Sequence, residues 1–208
     1  MSLFITFEGP EGSGKTTQIP RVARYLEARG MPVLCTREPG GTPISEQIRE
    51  IILSKDNHAI RDETEALLYS AARAQIVAEL VRPALAEGKT VLCDRYADST
   101  LAYQGYGLGL DLDALRVITR FATGGLVPDL TFYIDVPVAD GIARKRRGET
   151  NRLDEKAIAY HERVRAGYLE MARAEPGRWA IVDGTHSVDG VQRQIRDRLE
   201  QELKRRER

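Results

Sequence analysis

The chain has 208 residues, 42% of them hydrophobic, which allows one domain with a sizeable core, and no apolar run approaches the roughly 20 residues that span a bilayer. Lysine plus arginine and aspartate plus glutamate each total 31, and a formal net charge of zero argues against bulk nucleic-acid binding. The three histidines (His58, His161, His186) and two cysteines (Cys35, Cys93) form no metal-ligand spacing, so any metal is one held by oxygen ligands and phosphates.

Residues 1–6 carry no basic n-region and no cleavage-like site, so the expected location is cytoplasmic. Short apolar runs follow at 3–7, 32–35, 90–93, 130–134 and 179–182, several of them almost continuously apolar. That is the pattern of strands covered by helices on both faces. Cys35 and Cys93 each end a Val-Leu-Cys run and are expected as small buried hydrophobes. Between the runs lie segments with helical spacing at 16–29, 44–53, 62–87, 111–123, 154–174 and 188–206. The alternation predicts an α/β fold, a parallel sheet with right-handed crossovers. Residues 1–208 read as one domain, without repeat or linker.

The first strand runs into Gly9-Pro10-Glu11-Gly12-Ser13-Gly14-Lys15-Thr16, which satisfies G-x-x-x-x-G-K-[ST] and is followed by Thr17 and a helical pattern. Glycines let the backbone wrap closely, so that its N–H groups converge on phosphate oxygens at a helix N-terminus. Lys15 is expected on the β- and γ-phosphates of a nucleotide and the Thr16 hydroxyl on Mg²⁺. A GTPase base-reading motif is missing, because neither Asp140 nor Asp154 follows Asn-Lys.

On the acceptor side, Asp94 and Arg95 follow the third apolar run, at the strand end where open α/β sheets bind ligands. An arginine there suits bidentate capture of a phosphate. Tyr69 and Arg73 lie four apart on a helix and share a face, so a ring can stack on a base while a guanidinium donates to its edge. Taken alone, that pair is also how a core ring beside a snorkelling arginine reads.

Together these segments resemble the thymidylate kinases: FEGPEGSGKTT at 7–17, TREPGGT at 36–42, LLYSAAR at 67–73 and DRYADSTLAYQG at 94–105. The resemblance covers nearly the whole chain. It implies a P-loop nucleoside-monophosphate kinase fold, with a five-stranded parallel sheet, helices on both faces and a short lid at about 143–154. It implies ATP and dTMP as substrates, with Arg95 on the acceptor phosphate and Asp94 near Mg²⁺. Tyr69 then stacks on thymine and Arg73 addresses its carbonyl, while Glu38, Pro39 and Arg49 line the acceptor pocket. Ser99 belongs to the same run, Thr100 or Gln104 reads the pyrimidine edge, Tyr103 blocks a ribose 2′-hydroxyl, and Glu11 meets the 3′-hydroxyl.

Residues 10–13 contain no cation, so Arg147 and Arg152 of the basic stretch are expected to carry charge to the transferring phosphoryl group. The resemblance also implies a homodimer, while the charge balance and the short apolar runs give no expectation of nucleic acid or membrane as a partner. Two other readings stay open on the residues alone. One is a kinase of another small acceptor, whether a different nucleoside monophosphate or a deoxynucleoside. The other is a P-loop nucleotide switch.

Overall fold

In the computed structural model, which describes residues 2–145 and 157–206, five strands form one parallel sheet in the order β2-β3-β1-β4-β5. The strands are β1 Phe4–Glu8, β2 Val33–Arg37, β3 Thr90–Asp94, β4 Leu130–Asp135 and β5 Trp179–Asp183. Each lies within two residues of its apolar run. The inner three are buried almost throughout, whereas the edge strands β2 and β5 are only partly covered. Cys35 on the β2 edge is therefore exposed, contrary to expectation, and only Cys93 is a buried thiol.

Alternation along β1 divides the molecule. Ile5 and Phe7 point to a core shared with Ile19, Val22 and Leu26 of α1 (Lys15–Glu27) and with Ile195 and Leu199 of α9 (Val188–Arg206). Phe4 points the other way, toward Ile76 and Val77. Thr6 and Glu8 share the Phe4 face, where α8 (Ile158–Ala174) packs Tyr160, Val164 and Tyr168 against Tyr133 and Trp179.

Helices α2 (Pro43–Leu53) and α6 (Leu112–Thr123) begin on real caps, in which Thr42 accepts from Ser45 N–H and Asp111 from Ala114 N–H. The single helix expected over 62–87 is α3 (Asp62–Ile76), a π-helical turn (Val77–Val81) and α4 (Arg82–Ala86) in continuous succession. Pro83 explains the break: it has no N–H for the carbonyl four residues back, and its ring crowds that carbonyl. Two elements lie outside the expected helical segments. One is the short α5 (Ala97–Thr100), which continues as a second π-helical turn over Leu101–Gly107. The other is α7 (Val138–Lys145), which opens the basic stretch. Most of the expected lid, and with it Arg147 and Arg152, lies outside the described residues.

The strand order diverges at β1. The loops after β1 and β3 thus meet at the carboxyl edge of the sheet, where a crevice opens.

Candidate active site

The loop after β1 turns on left-handed glycines. Gly9 has φ 142°, Gly12 φ 73°, and Gly14, the N-cap of α1, φ 97°. A Cβ at Gly12 would lie 2.4 Å from the carbonyl oxygen of Gly141, so only glycine lets α7 close against the loop. Lys15 is buried, and its ammonium donates to the carbonyls of Gly9 (3.0 Å) and Pro10 (3.1 Å) and to Ser13 Oγ (3.4 Å). Burial lowers the Lys15 pKa and Arg95 lowers it further, while Asp94, Glu11 and Glu8 oppose them. Thus Gly9, Pro10 and Ser13 hold the lysine, while Glu11, Gly12, Gly14, Lys15, Thr16 and Thr17 line the crevice.

Arg95 is the one non-glycine among the described residues in the left-handed region, at φ 71°. Such a conformation costs about 1–3 kcal/mol and persists only where the surroundings impose it. Here Arg95 N–H donates to the Phe7 carbonyl (2.9 Å), and the next amide, Tyr96 N–H, donates to Glu8 Oε1 (2.8 Å). The guanidinium stands over the Tyr103 ring at 4.9 Å and reaches Glu11 (3.0 Å) and Ser99 Oγ (3.4 Å). Ser99 lines the cavity, yet its hydroxyl is committed to Glu8 Oε2 (2.6 Å) and stands 2.8 Å from the Tyr168 hydroxyl, which also donates to Glu8 (2.7 Å). Burial pushes the Glu8 carboxyl up to about 7, and nearby Asp98 adds to the shift; Arg95, Ser99 and Tyr168 pull against it. Asp98 is in turn paired with Arg178 (2.6 Å).

The cavity, about 510 Å³, continues from the P-loop to a polar wall. Arg73 is buried there: Nε donates to Glu38 (2.7 Å), Nη1 to Thr100 Oγ1 (2.9 Å) and Nη2 to the Tyr96 carbonyl (3.0 Å). A guanidinium has five N–H groups, so donors remain for the cavity that Arg73 lines. Burial raises the Glu38 carboxyl to about 7 against the pull of Arg73, and its Oε1 has no hydrogen-bond partner among the described residues. Arg37 and Arg49 both donate to the Pro39 carbonyl, at 3.0 and 2.9 Å. All the acceptor-side candidates line this one cavity: Glu11, Glu38, Pro39, Arg49, Tyr69, Arg73, Arg95, Ser99, Thr100, Tyr103 and Gln104. Arg37, Leu53 and His161 line it too without having been anticipated. Glu8 and Tyr168, 160 residues apart, were also missed, because Glu8 falls just past the first apolar run and nothing in the sequence names its partner.

For a divalent cation, the residues fit as part of a shared shell. Asp94 Oδ1 is buried without a hydrogen-bond partner among the described residues, and Asp94 and Thr16 line the same cavity. No group of three His, Cys, Asp or Glu placed to hold a metal ion occurs among the described residues, so these side chains would supply only part of such a shell.

The thymidylate kinase family model matches residues 7–195. A thymidylate kinase of Roseiflexus sp. (strain RS-1) is 53% identical, over 94% of this chain and 92% of its own. One of Thermomicrobium roseum is 56% identical, over 89% and 88%. The crystal structure of thymidylate kinase from Ehrlichia chaffeensis matches with a TM-score of 0.77 at 33% identity, over 95% of this chain and 98% of that one. A parallel five-stranded sheet, a glycine-rich loop opening on a cavity with a polar wall, and these matches along nearly the whole length lead to one conclusion: the chain belongs to the thymidylate kinase family of nucleoside-monophosphate kinases.

Proposed function

We propose that the cavity seats dTMP with its phosphate at Arg95 and its base against Arg73, facing ATP held by the loop at 9–17, and that the γ-phosphoryl group passes between them. One observation carries this reading: Lys15 and Thr16 of the phosphate loop share a single cavity with Arg95, Tyr69, Arg73 and Gln104. A nucleoside acceptor, lacking a phosphate, would leave the imposed conformation of Arg95 without a purpose. A nucleotide switch would need no second base-reading wall.

Phosphoryl transfer asks little covalent work of the protein, so these residues bind, orient and stabilise charge. Arg95 exchanges its contact with Glu11 for the acceptor phosphate, which frees the Glu11 carboxylate for the sugar 3′-hydroxyl. Tyr69 stacks on the base, and Arg73 donates to its carbonyl. Thr100 and Gln104 face the pyrimidine edge, and Tyr103 crowds the 2′ position. Glu38, Pro39 and Arg49 close the pocket. Lys15 neutralises charge on the donor phosphates. Thr16 and Asp94 would hold Mg²⁺, which supplies further neutralisation of the phosphate oxygens. Arg147 and Arg152 are assigned to the same charge from sequence alone.

The chain works as one kinase domain over 1–208, in the cytoplasm and as a homodimer. No described helix is long and apolar enough to cross a membrane. On the neighbouring helices α3 and α6, Leu67, Val117 and Phe121 are exposed, Phe121 by 88%, which supports a covered face between copies.

Steady-state kinetics of Arg95→Ala test the assignment. Loss of the phosphate clamp should cut kcat/KM for dTMP by about 10²-fold or more while the KM for ATP changes little. Unchanged kcat/KM for dTMP would remove Arg95 from the acceptor site.

A further inference from the structure

Glu65 lies in none of the sequence motifs' assigned roles, yet it is buried and points at the acceptor wall. It stands on α3 four residues before Tyr69, which is four before Arg73, so the three share one helical face. Its Oε1 accepts from Gln104 Nε2 at 3.0 Å, a bond between buried groups 39 residues apart. Gln104 itself belongs to the π-helical turn Leu101–Gly107 and lines the cavity.

A carboxamide is ambivalent, with an NH₂ end that donates and a carbonyl end that accepts, and an isolated glutamine can present either. A carboxylate only accepts. We propose that Glu65 is a positioning residue that fixes the orientation of the Gln104 amide, turning its carbonyl oxygen to the base and so making the site select bases with an N3–H. This rests on the base-reading role given to Gln104 above.

The selection follows from the two ends of the wall. Arg73 brings donors only, which suits a carbonyl at C4. Gln104, held by Glu65, brings an acceptor, which suits an imide N–H at N3. Thymine and uracil carry that acceptor–donor pair. Cytosine carries the reverse, an amino group at C4 and a bare nitrogen at N3, and so meets a donor with a donor and an acceptor with an acceptor. Without Glu65 the amide can rotate and offer its NH₂ to the cytosine N3, which relieves one of the two conflicts. Glu65 would act on base choice without touching the base.

The test compares kcat/KM for dTMP and dCMP in wild type, Glu65→Gln, Glu65→Met, Gln104→Leu and the double variant Glu65→Gln/Gln104→Leu. Glu65→Gln and Glu65→Met should raise the dCMP-to-dTMP ratio by about tenfold or more, the scale of one reversed hydrogen bond at a buried edge. Glu65→Gln should change nothing further in the Gln104→Leu background, because the two act as a unit. A ratio unmoved in both Glu65 variants, or equal loss for both nucleotides, would overturn the proposal while leaving Gln104 as the base reader if Gln104→Leu shifts the ratio. A ratio unmoved by Gln104→Leu would remove the base-reading role and the proposal together. In the wild type, scalar coupling across the hydrogen bond between ¹⁵Nε2 of Gln104 and ¹³Cδ of Glu65 is expected. Its absence would overturn the proposal whether or not the variants fold.

Discussion

The Ser99 hydroxyl donates to Glu8 Oε2 at 2.6 Å, and this bond ties the end of the first strand to the far side of the turn that carries Arg95. The other oxygen of Glu8 takes the Tyr96 N–H, so one carboxylate holds the turn at two points just after its strained residue, Arg95. Tyr168, from α8, completes the knot. Ser99 thus lines the cavity while its hydroxyl ties the turn that carries Arg95.

The knot has a pH signature. The Glu8 carboxyl is raised to about 7, so between its ordinary value near 4.5 and about 7 the folded chain keeps a proton that the unfolded chain has lost. Stability from this group therefore falls as pH rises through that window and is level above it. Melting temperatures of wild type and Glu8→Gln, measured from pH 5 to 8, should show the wild type losing ground to the variant as pH rises. A constant difference would mean that Glu8 titrates as an ordinary carboxylate.

At the other end of the chain the sign is opposite. The Glu202 carboxylate is buried, which opposes its charge, but Arg205 and Arg206 overcome this and bring it down to about 2. Arg206 also pairs with Asp129, which accepts from the Phe4 N–H and so anchors the start of β1. This stability is present above about 4.5 and is lost as pH falls through about 2. Glu202→Gln should cost about 1–2 kcal/mol at pH 7, because the freed arginines can turn to water. The deficit in melting temperature should shrink on acidification below pH 4.5, and a pH-independent deficit would point to packing alone.

Lys15→Ala should lower kcat by about 10²-fold or more, as for the loss of a single charge-stabilising donor. Sequence reasoning expects its fold to be untouched, since a P-loop lysine faces ligand. The structure adds that the ammonium also ties the Gly9 and Pro10 carbonyls, so a small drop in melting temperature should accompany the kinetic loss. Normal turnover in a folded variant would break the assignment of the phosphate loop.

Tyr103 is wedged between the edges of Tyr160 and Tyr168 under the Arg95 guanidinium, a place that allows the ring little room to withdraw. The kcat/KM for dUMP should exceed that for UMP, and Tyr103→Phe, which removes the hydroxyl, should narrow the gap. Equal values for dUMP and UMP in the wild type would release Tyr103 from sugar selection.

The five strands and the phosphate loop were legible because they are local: continuous apolar runs, and glycines at fixed spacing before Lys15. Tyr69 and Arg73 were legible as a helical pair, and Glu65 completes the same four-residue period without a sequence signal for its partner Gln104. Glu8 and Tyr168 were hidden for another reason. Their meaning is a contact across 160 residues, which no window reads. The turn at 97–107 escaped because its π-helical part breaks the 3.6-residue period, and Gln104, which meets Glu65, lies in that part.

Initial rates of ADP release, with saturating ATP and a panel of dTMP, dUMP, dCMP, AMP and thymidine, test the central claim most directly. Turnover should follow dTMP, then dUMP, with dCMP and AMP far below and thymidine inert, because the cavity demands both a phosphate for Arg95 and an imide edge for the Arg73–Gln104 wall. Transfer to thymidine at the rate seen with dTMP, or ADP release indifferent to every added monophosphate, would contradict it.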